Sequence, residues 1–161
     1  MGDETLDKVE EVAGVLDKDT VHFVAAAEHI DGTSLQKLYF SQPTDDGALD
    51  RLEAAARLCG VDEATWAPMG SRREALAGKT TFLSVGFSDG QLLPGTKIDV
   101  HDLPPDVVAS VMADAGRDGA AVERMDLLLK MIDKPTVDYA GFKLRPGRPV
   151  ATRVYGYRSS R

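Results

Sequence analysis

The sequence predicts an α+β fold: an antiparallel sheet of about six strands from three hairpins, with helices on one outer face. Three observations predict it. A unit of helix, hairpin and helix recurs, with hairpins starting near residues 20, 80 and 136. Hairpins join strands antiparallel. Each second strand alternates apolar and polar side chains, as a half-covered strand does. The 161 residues, 43% hydrophobic and 28% charged, suit one globular domain over 1–161. Such a chain buries roughly two-thirds of its unfolded surface and needs no disulfide or metal staple.

The elements follow in order. Residues 3–18 form an amphipathic helix, with Leu6, Val9, Val12 and Leu16 at spacings of three and four. Asp3 and Glu4 sit at its positive end. Residues 20–29 and 34–41 form two strands around a turn at Asp31-Gly32-Thr33. Residues 46–59 form a helix whose stripe is Leu49, Leu52, Ala55, Ala56 and Cys59, stopped by Gly60. Asp62-Glu63 opens a helical turn that Pro68 and Gly70 break, and a short helix follows over Ser71–Ala77. A second hairpin takes 80–87 and 96–103 around a glycine-rich loop. Pro104-Pro105-Asp106 starts a helix with Val107, Val108, Val111, Met112 and Ala115 inward. A last helix runs to Ile132 with Val122, Met125, Leu128 and Leu129 inward, and Pro135 ends it. The third hairpin pairs 136–144 with 149–158.

Charge and motifs exclude several function classes. The net charge of −7 repels a nucleic-acid backbone, and no nucleic-acid motif accompanies the basic stretch at 141–161. No apolar run approaches the ~20 residues of a membrane span. With an acidic N-terminus and the single Cys59, a cytoplasmic location is expected. Gly78-Lys79-Thr80 is no phosphate loop, since seven residues separate it from Gly70 where the motif needs four, and a strand follows. His22, His29 and His101 do not stand at metal-ligand spacing, so no metal site is read from the residues.

The strand faces carry the chemistry. Lys37 and Tyr39 oppose Leu38 and Phe40; Lys97, Asp99 and His101 oppose Ile98 and Val100; Arg153, Tyr155 and Tyr157 oppose Val154. One reading of this face is an ordinary solvated sheet surface. The other is a polar-lined pocket in a curled sheet. There Lys37, Lys97 and Arg153 converge on an anion, and Tyr39, Tyr155 and Tyr157 donate hydrogen bonds to it and wall off an apolar ligand.

Several stretches resemble the soluble aromatic prenyltransferases of the αββα (ABBA) barrel, in particular the bacterial phenol and naphthol group. They are Leu35-Gln36-Lys37-Leu38-Tyr39-Phe40-Ser41 with the helix ending Leu58-Cys59-Gly60-Val61, then Gly95-Thr96-Lys97-Ile98-Asp99, then Val137-Asp138-Tyr139-Ala140-Gly141 and Thr152-Arg153-Val154-Tyr155-Gly156-Tyr157. Together they span residues 20–158 and match the last three of the family's five repeats. The resemblance implies a half or small barrel that binds an isoprenoid diphosphate and transfers its prenyl group to an aromatic acceptor. It implies diphosphate binding by Lys37, Lys97, Arg153, Tyr39 and Tyr157, with Tyr155, Asp99 and His101 toward the substrate. No residue stands out as catalytic. Mg2+ serves some members, through a carboxylate in the repeats this chain does not match. Two chains completing one cavity, a homodimer, would restore the missing half. The alternative function is a non-catalytic ligand-binding or assembly module that keeps the sheet.

Overall fold

A computed structural model describes residues 3–18, 21–28, 30, 32–42, 45, 47–132 and 136–155. The chain runs α1 (Asp3–Val15), β1 (Phe23–Glu28), β2 (Ser34–Gln42), α2 (Ala48–Leu58), α3 (Glu63–Gly70), α4 (Arg73–Leu76), β3 (Thr81–Ser88), β4 (Gln91–Leu92), β5 (Thr96–Leu103), α5 (Pro105–Asp114), α6 (Gly119–Ile132), β6 (Val137–Arg145) and β7 (Arg148–Tyr155). Six strands pair in the order β1-β2-β3-β5-β6-β7, and every pairing is antiparallel. The short β4 folds back onto β3. The sheet does not close, because β1 and β7 lie at its two ends. The polar side is therefore an open face and not an enclosed barrel lumen.

One face of the sheet meets the helices. Leu38, Phe40, Leu83, Val85, Phe87, Ile98, Val100, Phe142 and Leu144 are buried in one core with Leu49, Leu52, Ala55 and Ala56 of α2 and Val108 and Val111 of α5. Val154 is only half-buried, packed at the margin near the sheet end. The α2 stripe read from the sequence is buried in full, and Gly60 follows the helix at φ +81°, a conformation glycine adopts without strain. Gly95 needs its missing side chain too. It sits at φ +92°, its N–H donates to the Cys59 carbonyl at 2.7 Å, and a Cβ there would collide with the Leu144 carbonyl.

Two elements depart from the periodicity. Asp62 caps α3, its Oδ1 accepting from the Thr65 N–H at 2.7 Å, and the helix continues through Pro68 to Gly70. The helix is only eight residues long, so the proline removes one late hydrogen bond and leaves the first turn intact. In α6, Leu129 is buried and Met125 is packed at the core margin, but Leu128 is 57% exposed. The helix packs chiefly on α5, at the periphery, so its inward stripe is narrower than its apolar composition. Tyr157, Gly156 and the end of the 149–158 strand lie outside the described residues, as do His29, Asp31 and Pro135.

Candidate functional site

The register across the open face places the polar side chains in rows. Phe23, Tyr39, Ser84, Lys97, Lys143 and Ala151 form one row. Ser41, Phe82, Asp99, Gly141 and Arg153 form the next. His101, Tyr139 and Tyr155 form a third. Lys37 lies one row beyond the first, between Ala25 and Gly86. The strands therefore run from cations toward rings: Lys97 to His101 on β5, Lys143 to Tyr139 on β6, Arg153 to Tyr155 on β7.

Lys97, Asp99, Tyr39 and Tyr155 come together. Lys97 Nζ lies 2.5 Å from Asp99 Oδ1, with side-chain exposures of 21% and 11%. The same ammonium stands 5.6 Å from the centre of the Tyr155 ring, within cation–π range. Burial holds the Tyr39 phenol above its ordinary value, opposed by the Lys97 charge and supported by Asp99 and Tyr155. Tyr39 is thus kept as a neutral hydrogen-bond donor.

Lys143 sits directly opposite Lys97 in the ladder. Opposed like charges are destabilising on a sheet. Burial pushes the Lys143 ammonium below the ordinary lysine range, and the charges of Arg145, Lys37, Arg153 and Lys97 push it further. Four cations thus act on Lys143. Asp99 is the single acid that the register places on this face among the described residues, and Lys97 already holds it.

Rings border the cations. Phe23 stacks on Tyr39 at 4.0 Å between centres. Phe82 lies 5.2 Å from His22 and 5.6 Å from His101, and His101 lies 3.7 Å from Tyr139. The His101 Nε2 atom is buried with no hydrogen-bond partner among the described residues. Gly141 lies under the Lys97–Asp99 pair and leaves space for it.

The donor set does not fit Mg2+. A magnesium ion wants several oxygen ligands, and Asp99 is alone among cations. The described residues contain no group of three or more His, Cys, Asp or Glu side chains placed to hold a metal. None of the described helices is long and apolar enough to cross a membrane. Two clefts, of about 250 and 210 Å³, lie away from this face, one beside Asp62 and Arg148 and one between Leu49 and Lys79.

The face brings together Lys37, Lys97, Arg153, Tyr39, Tyr155, Asp99 and His101, all read from the sequence. It adds Lys143, Tyr139, Phe82 and Gly141. The alternation Tyr139-Gly141-Lys143 carries that signal on the first strand of the third hairpin, where a reading of second strands passes it by. No family model, curated protein or solved structure matches the chain.

Proposed function

We propose that the open face binds an isoprenoid diphosphate. The observation that carries this reading is the segregation of charge and rings along the strands. The diphosphate lies over Lys97, Lys143 and Arg153 within reach of Lys37, where it relieves the repulsion among the cations. The prenyl chain lies along Phe82, His101 and Tyr139. Lys143 and Tyr139 are four residues apart on one strand, roughly 13 Å, so head and tail contacts are separated as in an amphiphilic ligand. Tyr39 donates its hydroxyl to the anion.

Transfer to an aromatic acceptor is the activity that the resemblance to ABBA prenyltransferases supplies. The bond from prenyl carbon to diphosphate oxygen breaks, and cations stabilise the departing charge. Ring faces stabilise the allylic cation. The acceptor ring gives an electron pair to form the new carbon–carbon bond and then loses a proton to water or to the released diphosphate. One observation favours the alternative of a binding or assembly module: the face is open, and a carbocation survives only where water is excluded. Binding needs the face alone.

Thermal-shift titration with geranyl diphosphate, dimethylallyl diphosphate and pyrophosphate tests the binding reading. Geranyl diphosphate should stabilise the protein most, by about 2.7 kcal/mol at a hundredfold excess over Kd. Absence of any shift with all three ligands rejects the site. Mass spectrometry of mixtures with a naphthol then separates enzyme from module.

A further inference from the structure

The two ends of the sheet are built differently. β7 carries Arg148, Pro149 and Arg153, and its pairing with β6 is irregular between Lys143 and Arg145. Charge, proline and irregular register each oppose the addition of another strand. β1 has no proline and no break in register, and its one charge, Glu28, is its last residue. It reads Phe-Val-Ala-Ala-Ala-Glu, and all six residues are exposed. Val24, on the side facing away from the rings, is 61% exposed. Among the described residues β1 pairs only with β2, so its outer backbone groups have no strand partner.

We propose that β1 is a dimerisation strand. Two copies of the chain pair antiparallel along β1, centred on Ala25, into one continuous sheet with six main-path strands from each copy. This rests on the edge itself and needs no ligand.

Two constraints select the register. Directly opposed residues share a face, so odd positions must meet odd positions for the two open faces to lie on one side. A one-residue slip turns one copy over and sets its apolar side beside the other's polar side. Centring on Ala25 puts Phe23 opposite the partner's Ala27 and Val24 opposite the partner's Ala26, a large side chain beside a small one each time. Centring on Ala26 instead sets Val24 against the partner's Glu28.

The pairing creates a composite feature. Ala25 lies beside Lys37 in the ladder. Lys37, Ala25, the partner's Ala25 and the partner's Lys37 then stand in one row. The two lysines face each other across three strand spacings, roughly 14 Å, over a floor of alanine methyls. A stacked Phe23–Tyr39 pair borders the floor on each side.

Sedimentation from low to high micromolar concentration should give twice the 17.3 kDa chain mass. Ala25→Cys fixes the register. Directly paired Cα atoms are about 4.5–5.5 Å apart, inside disulfide range, so this variant should form a covalent dimer on mild oxidation. Val24→Cys should not, because its own counterpart is displaced two residues along the strand, about 8 Å away. Cys59 is buried and does not compete. Val24→Lys with Ala26→Lys should weaken the dimer at least tenfold. Both sites are exposed, and circular dichroism checks that the fold persists. A monomer at every concentration overturns the proposal. So does a dimer in which the two cysteine variants cross-link alike, or one indifferent to the edge lysines.

Discussion

A Cβ built on Gly141 would lie 2.6 Å from Asp99 Oδ1, closer than real side chains approach. The same Cβ would meet Lys97 Cε at 2.7 Å and Nζ at 3.0 Å. The glycine and the ion pair therefore occupy one space on neighbouring strands. Glycine inside a strand ordinarily costs about 0.5–1 kcal/mol against alanine, so the position is a vacancy kept for the pair. Gly141→Ala pushes these two side-chain ends apart, so the usual gain should be cancelled by the disturbed ion pair, worth up to about 1 kcal/mol. Gly86→Ala on the same face is the control, since its Cβ would meet Leu93 Cδ1 at 3.4 Å and nothing else nearer than 3.9 Å. Urea denaturation of both variants decides this. Equal stability of the two rejects the steric account.

Arg153 faces Gly141 in the ladder, with no side chain between it and Asp99 in that row. Its guanidinium has the fork geometry that matches paired phosphate oxygens. Arg153→Met keeps much of the stem and removes the charge. Calorimetry should show pyrophosphate affinity falling roughly tenfold or more, the value of a charge-assisted bond of about 1.5–3 kcal/mol. Unchanged binding in the variant would falsify the anion site.

The ring row predicts a different pattern. Phe82 touches His22, Phe23 and His101 in one cluster and carries no charge. Phe82→Ala should cost geranyl diphosphate about tenfold in affinity and leave pyrophosphate unaffected. Equal losses for both ligands would place the effect in the fold and not in a prenyl contact.

The alternation of Lys37-Leu38-Tyr39-Phe40 and Lys97-Ile98-Asp99 contains the sheet's two faces, because strand geometry has a period of two and nothing else need be known. The hairpin order follows for the same local reason. What crosses strands is not local. That Lys97 opposes Lys143, or that Gly141 makes room for Asp99, depends on register between segments some forty residues apart. Closure of the sheet is likewise a property of β1 and β7 together. The persistence of α3 through Pro68 reflects tertiary packing of Trp66 and Met69, both buried, which outweighs one lost hydrogen bond.

Burial pushes the Cys59 thiol up to about 11 from 9.0, with Lys8 opposing weakly. Its folded value lies above its unfolded value, so the neutral thiol's contribution is complete below about pH 9 and is lost as pH rises toward about 11. Two units correspond to an order of 2–3 kcal/mol. The stability of the parent protein should therefore fall relative to Cys59→Ala across that window. Parallel pH profiles for the two proteins would remove this role.

Lys143 carries the opposite sign. Its folded value lies below 10.5, so between that depressed value and 10.5 the unfolded chain binds more protons, and stability rises with pH there. At neutral pH the charged ammonium is held in a place that disfavours it, first by burial and then by four neighbouring cations. Lys143→Met removes that charge and keeps an unbranched apolar stem. Without ligand the variant should be more stable, and relief of about 1 kcal/mol would raise Tm by roughly 2–4 °C. With pyrophosphate the order should invert, because the parent regains through the anion what repulsion takes away. The crossing of the two melting curves as pyrophosphate is added is the diagnostic. If Lys143→Met is less stable than the parent in both conditions, Lys143 is a structural lysine and not part of an anion site.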